Sequence, residues 1–243
     1  MSSLQSNRCH WDAFWEKNNL LYVNKTIEEL EKISPLRGKK IIEMGAGSGA
    51  TSIKMASLGA ALTCLDYSDQ SLALIDKNCK GAEVDISLLK ADVENLPVKD
   101  SSYDICFHQG LLEHFRNPSQ QLKEQFRILK PGGLLLVDVP QTFSLYTITK
   151  KYKIFRKKWF AGWETEYKHE QLKKMLLSVG FEYVQSYGRY HFRNIDRVQL
   201  KFFKKKIIPI LIERIYYSLI CKLENTFIGR NTAFSIGIVV RKT

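Results

Sequence analysis

The stretch IIEMGAGSGA, residues 41–50, decides how the rest of the chain is read. Two branched apolar residues run into an acid, Glu43, and glycines then stand at 45, 47 and 49. Such an apolar run reads as a buried strand, and a glycine-rich turn after it lets the backbone pass close beneath a ligand. The helix that follows offers free N–H groups to the same place. GAGSGA also fits the dinucleotide pattern G-x-G-x-x-G/A, with Ala50 last, which alone is weakly specific. A P-loop is excluded, because no Gly-Lys-Ser/Thr follows.

Outward from this turn, short apolar runs alternate with helical patterns through residue 140. KKIIEM (39–44), ALTCLD (61–66), ISLLKAD (86–92), YDICFHQ (103–109) and GLLLVDV (133–139) read as buried strands. The stretches 51–60, 68–80 and 117–130 have helical spacing, with Ser68 and Asn117 as N-caps, Pro118 in a first turn and Gly132–Gly133 as the stop. The alternation predicts a parallel sheet covered on both faces. Residues 11–33 read as helical, and 168–180 as a helix ending at Gly180. The stretches 181–189 and 233–242 read as an antiparallel pair finishing the sheet, and the connection 190–232 is expected to hold a helix near 198–223.

The length of 243 residues suits one large domain, and its 44% hydrophobic content supplies a sizeable core. The first residues have neither a basic start nor an apolar h-region, and the apolar stretch 207–220 is too short to span a bilayer. A cytoplasmic protein is expected. Five cysteines without CxxC or His pairing argue against a disulfide framework or zinc site, and Cys64 and Cys106 read as small core residues. Residues 1–140 carry 16 Lys/Arg against 18 Asp/Glu, whereas residues 141–243 carry 21 against 7. That asymmetry points to an anionic partner for the C-terminal half, such as a membrane surface, RNA or an acidic substrate.

Three further features choose among ligands for the glycine turn. Asp66 ends the second strand, where an acid can accept from both ribose hydroxyls. Asp92 ends the third and can accept from an adenine amino group, and Glu43 can attract a ligand ammonium. With A-D-x-E-x-L-P (91–97), L-x-E-H (111–114) and L-K-P-G-G (129–133), the sequence resembles class I S-adenosylmethionine-dependent methyltransferases of the small-molecule and quinone-type group, over about residues 38–140. The resemblance implies a Rossmann-like, seven-stranded, mostly parallel sheet with its last strand antiparallel. It implies S-adenosylmethionine as cofactor, with Glu43 and the turn Gly45, Ala46, Gly47 and Gly49 at its methionine and ribose part. Asp66 would hold the ribose, Tyr67 would lie beside the adenine, Asp92 and Val93 would hold the adenine, and Gln109 would reach the methionine moiety. Within a single domain over 1–243, it places a helical lid at 1–37, a cofactor-binding core at 38–140, and substrate-side insertions at 141–167 and 190–232.

Methyl transfer from a sulfonium needs alignment more than acid–base chemistry, so an inconspicuous base is no obstacle. His108, Tyr146, His169 and His191 are the candidates for that role. No metal-ligand cluster is visible, so a metal-independent reaction is expected. Specificity is expected from the aromatic Trp11, Phe14, Trp15 and Tyr22 and from the aromatic, basic segment 142–167. The leading expectation is methylation of a small molecule, with peripheral contact to an anionic membrane through the basic half. RNA methylation, a non-catalytic S-adenosylmethionine-binding partner protein and a nicotinamide oxidoreductase are the alternatives.

Overall fold

In the computed structural model the described residues are 8–21, 25–156, 159, 164–189, 226 and 233–243. Their elements run α1 (Arg8–Lys17), α2 (Thr26–Glu31), β1 (Lys40–Met44), α3 (Ala50–Ser57), β2 (Ala61–Asp66), α4 (Asp69–Ala82), β3 (Ser87–Lys90) and β4 (Tyr103–Gln109). A single 3-10 turn at Leu112–His114 follows, then α5 (Ser119–Ile128), β5 (Leu129–Pro140), α6 (Leu145–Phe155), α7 (His169–Val179), β6 (Phe181–Arg189) and β7 (Ser235–Lys242). The seven strands form one sheet in the order β3-β2-β1-β4-β5-β7-β6. β1 to β5 are parallel to one another, and β7 is antiparallel to both β5 and β6. The expected sheet is therefore present, with the antiparallel strand inserted between β5 and β6.

Consecutive residues of the central strands go to opposite faces, which is why these strands read as continuous apolar runs. Ile42, Cys106, Leu135 and Val137 pack beneath α5 and α7 with Leu122, Leu172 and Leu176. Ile41, Ile105, Leu134 and Leu136 pack on the other side with Leu30 of α2, Met55 of α3 and Ile75 of α4. Each such fully buried side chain contributes about 1.5–3 kcal/mol. Cys64 and Cys106 are both fully buried, as expected of core residues.

Gln109, Asp138, Gly237 and Tyr187 lie in register across β4, β5, β7 and β6. A Cβ on Gly237 would stand 2.0 Å from the Tyr187 ring. The missing side chain lets that ring cross over β7 and donate its hydroxyl to Asp138 Oδ2 at 3.2 Å. Asp138 also pairs with Arg189 at 3.0 Å.

Three local expectations change. The helical pattern over 11–33 is interrupted, giving α1 and α2 separately. Asn18 turns its amide back onto the Phe14 carbonyl at 2.8 Å, and the Leu20 carbonyl is taken by Ser48 Oγ at 2.6 Å, so neither supports a further turn. The helix expected to stop at Gly132–Gly133 ends at Ile128. Its last carbonyls, Arg127 and Ile128, accept from Ser101 N and Ser102 N, and Pro131 could not have continued it. Ser68 caps α4 as expected, accepting from Ser71 N, while Asn117 acts one residue outside the α5 cap, its Oδ1 accepting from Ser119 N. The helix expected near 198–223 lies outside the described residues. Among the described residues, no helix is long and apolar enough to cross a membrane.

Candidate functional site

The strand order reverses direction between β1 and β4, and ligands of open parallel sheets bind at the carboxyl ends beside such a point. A cavity of about 480 Å³ opens there, within the range of small-molecule sites. Its wall takes Gly45 after β1, Leu65, Asp66 and Tyr67 at the end of β2, and Ala91 to Glu94 after β3. Gln109 to Leu111 come from the end of β4, His114 to Asn117 from the loop beyond, and Trp11 and Trp15 from α1.

The glycine turn places Gly45, Gly47 and Gly49 at φ values of 62°, 58° and 70°, the left-handed region that favours glycine. Asp66 holds this turn together. Its Oδ2 accepts from Gly47 N at 3.1 Å and from Ser71 Oγ at 2.8 Å, and its Oδ1 from Ser68 N at 3.0 Å. Burial pushes its carboxyl above the ordinary value, and the bonds from Ser68, Gly47 and Ser71 oppose that. Asp92 is exposed, and its Oδ1 accepts from Glu94 N at 2.9 Å, fixing the turn after β3. Val93 is buried beside it. Gln109 accepts from Thr51 Oγ1 at 3.2 Å and donates to Thr26 Oγ1, so α3 and α2 fix its amide.

Six of the residues expected at the cofactor, Gly45, Asp66, Tyr67, Asp92, Val93 and Gln109, thus share one wall. Glu43, Ala46, Gly47 and Gly49 are not on it. Gly47 is covered by Trp15, whose Cζ2 would lie 2.4 Å from a Cβ placed there. α1 is drawn to this position by Ser68 Oγ, which donates to Asp12 Oδ1 at 2.5 Å. Trp11 meets the His114 ring edge-on at 5.0 Å, so α1 and the loop after β4 face one another across the cavity.

Glu43 is buried behind the turn, its Oε2 accepting from Ser52 Oγ at 2.6 Å. Burial pushes its carboxyl up to about 8, against the opposing bond from Ser52. The unfolded chain titrates at the ordinary value of 4.5, so neutral Glu43 contributes stability in full below that pH. The contribution is lost as pH rises through about 8. Relative to Glu43→Gln, the wild type is expected to lose up to about 1.4 kcal/mol of stability per pH unit inside this window. Denaturant unfolding of both proteins across the window checks this, and a difference that does not change with pH contradicts it.

None of the four candidate bases lines the cavity among the described residues. His108 is fully buried in the layer under α5, and burial pushes it down to about 4, opposed by the neighbouring Gln125 amide. Among the described residues neither of its ring nitrogens has a partner within hydrogen-bonding distance. His169 starts α7 and is taken up by Glu170 at 2.8 Å and Ser186 at 2.9 Å. Tyr146 lies on α6, its side chain outside the described residues, and His191 lies wholly outside them. The histidine on the cavity wall is His114, next to Glu113, which turns inward. Burial and the nearby Glu164 push the Glu113 carboxyl well above its ordinary value.

Sequence reasoning did not single out Leu111, Phe115, Arg116 and Asn117 as wall residues; the aromatic and basic run after the E-H pair was the available signal. It also missed the buried Lys150, which pairs with Glu164 and Glu166 at 3.1 Å each.

The fold is similar to that of solved methyltransferases, and part of the chain matches a methyltransferase family. Residues 42–137 match the family described as "Methyltransferase domain". The chain is 26% identical over 149 residues to a demethylmenaquinone methyltransferase of Clavibacter sepedonicus, covering 60% of each. It is 32% identical over 124 residues to a malonyl-[acyl-carrier protein] O-methyltransferase of Buchnera aphidicola, covering 51% of this chain and 49% of that one. The chain thus spans about half to three fifths of the length of these relatives. In fold it is similar to a SAM-dependent methyltransferase of Thermotoga maritima described as a possible histamine N-methyltransferase. The TM-score is 0.68 at 17% identity, covering 98% of this chain and 100% of that one.

Proposed function

We propose that the protein transfers the methyl group of S-adenosylmethionine to a small-molecule acceptor. The carrying observation is that one cavity gathers Gly45, Asp66, Tyr67, Asp92, Val93 and Gln109 at the carboxyl ends of the strands. Their chemistry fits the cofactor. Asp66 offers acceptors to a ribose diol, Asp92 offers one to an amino group, and Leu65, Tyr67 and Val93 offer apolar faces to a flat base. A carboxylate has about four acceptor positions, and Gly47, Ser68, Ser71 and the Tyr67 backbone already draw on Asp66. Ribose hydroxyls would displace the Ser71 hydroxyl, whose proton can turn to the Gly47 carbonyl instead. Glu43 lies close behind the turn and favours the ammonium of the methionine part, which would in turn hold its carboxyl charged.

The cofactor supplies a methyl group already activated on sulfur. The protein's work is then to align an acceptor and exclude water, and alignment contributes roughly 7–11 kcal/mol in well-oriented systems. Trp11, Trp15 and Phe115 are suited to excluding water, with residues 1–37 acting as the lid over the core at 38–140. The segment 141–167 would supply a substrate-side insertion of the same domain, while the second insertion expected at 190–232 lies almost wholly outside the described residues. The relatives named for demethylmenaquinone and malonyl-[acyl-carrier protein] support an organic acceptor over RNA. The test incubates the protein with methyl-labelled S-adenosylmethionine and with metabolite, lipid or RNA extracts. Label is expected in the metabolite or lipid fraction; label in RNA alone, or in none, contradicts the reading.

A further inference from the structure

α6 is built inside out. Its inward side carries Thr147 and Lys150, and Lys150, only 1% exposed, is held between Glu164 and Glu166. Its outward side carries Ile148, Tyr152 and Phe155, which are 66%, 61% and 83% exposed. These three recur at i, i+4 and i+7 and so form one stripe along the helix. An ordinary surface helix buries such a stripe and exposes its lysine, and an apolar patch left outward marks an interaction site.

The charge around the stripe narrows the partner. At 100° per residue, Lys151 stands about 60° to one side of it and Arg156 about 80° to the other, while Lys153 faces away with its Nζ 5.9 Å from the Trp159 ring. Phe143, 62% exposed at the entry to α6, extends the apolar surface, and Lys168 Nζ lies 5.5 Å from its ring. The nearest carboxylates are taken up by lysines: the Glu164 side chain, 5% exposed, pairs with Lys150, and Glu166 lies between Lys150 and Lys151 at 3.1 and 3.6 Å. The sequence after α6 adds Lys157 and Lys158. Aromatic and aliphatic side chains flanked by cations on one helix face are the pattern of a helix lying in the interface of an anionic membrane.

We propose that α6 is a membrane-docking helix, with Ile148, Tyr152 and Phe155 entering the headgroup boundary of an anionic bilayer and Lys151 and Arg156 meeting its phosphates. The surface stands independently of methyl transfer, so its test does not depend on turnover. It also differs from the basic stretch 201–206, which lies outside the described residues.

The experiment floats the full chain with vesicles of phosphatidylcholine alone and of phosphatidylcholine mixed with phosphatidylglycerol, at low and high salt. The wild type is expected to bind the mixed vesicles at low salt and to leave the neutral ones. The combined variant Ile148→Ser, Tyr152→Ser, Phe155→Ser is expected to keep its melting temperature and lose more than tenfold in partition. The combined variant Lys151→Gln, Arg156→Gln is expected to bind several-fold less and to show a shallower salt dependence. A wild type that ignores anionic vesicles overturns the proposal. So does a serine variant that binds like wild type, which would place the contact elsewhere in the chain. Self-association of the wild type that the serine variant abolishes, without vesicle binding, assigns the face to a second copy and equally overturns it.

Discussion

Gly47→Val is expected to lower affinity for S-adenosylhomocysteine by more than a hundredfold, which corresponds to about 2.7 kcal/mol or more. Gly47 sits at φ 58°, where a branched side chain is strained by roughly 1–2 kcal/mol. Its Cβ would stand 2.4 Å from Trp15, so either α1 or the turn must move. Moving the turn disturbs two contacts at once, because Gly47 N donates to Asp66 and Gly47 O shares the single Ser71 hydroxyl proton with Asp66 Oδ2, at 2.7 and 2.8 Å. Calorimetric titration measures the loss, and a melting curve separates it from unfolding. A folded variant that binds within tenfold of wild type would show that the turn is not beside the ligand.

Lys150→Ala is expected to destabilise the protein by about 3–5 kcal/mol, the usual cost of removing one partner from a buried ion pair. The Lys150 side chain is 1% exposed and its partners Glu164 and Glu166 are 5% and 19% exposed, so the carboxylates are left with little water to replace it. The damage should reach the cavity loop, since Thr165 N donates to the Glu113 carbonyl at 2.7 Å. Lys150→Met with Glu164→Gln is expected to recover part of the loss by removing a stranded charge. Denaturant unfolding is the measurement, and a cost under about 1 kcal/mol would mean that the pair is solvated.

Much of the sheet was legible because the central strands β1, β4 and β5 are buried on both faces and therefore read as unbroken apolar runs, whereas the edge strand β3, also expected to be buried, is largely exposed. The glycine turn was legible for a different reason: Gly45, Gly47 and Gly49 occupy a conformation other residues avoid. Asp66 and Asp92 followed from their positions at strand ends. What a doubly covered strand hides is which face each residue takes. His108 and Gln109 are neighbours on β4, yet His108 goes under α5 and Gln109 reaches the cavity. Nothing in the period of an apolar run distinguishes them. The inward turn of Lys150 was equally hidden, because it depends on two glutamates fourteen and sixteen residues away in sequence. The break after α1 rests on Asn18 and on a contact from Ser48, and only the first is local.

Calorimetric titration of S-adenosylhomocysteine and of NAD into wild type and Asp66→Ala tests the central claim most directly. Among the described residues, Asp66 is the carboxylate that both lines the cavity and organises the glycine turn. The sulfur nucleoside is expected to bind wild type and NAD to bind poorly. Asp66→Ala is expected to weaken the sulfur nucleoside about 10- to 100-fold, or roughly 1.5–3 kcal/mol, from lost charge-assisted hydrogen bonds. Tight NAD binding with no response to S-adenosylhomocysteine, or unchanged affinity in a folded Asp66→Ala protein, would contradict the account.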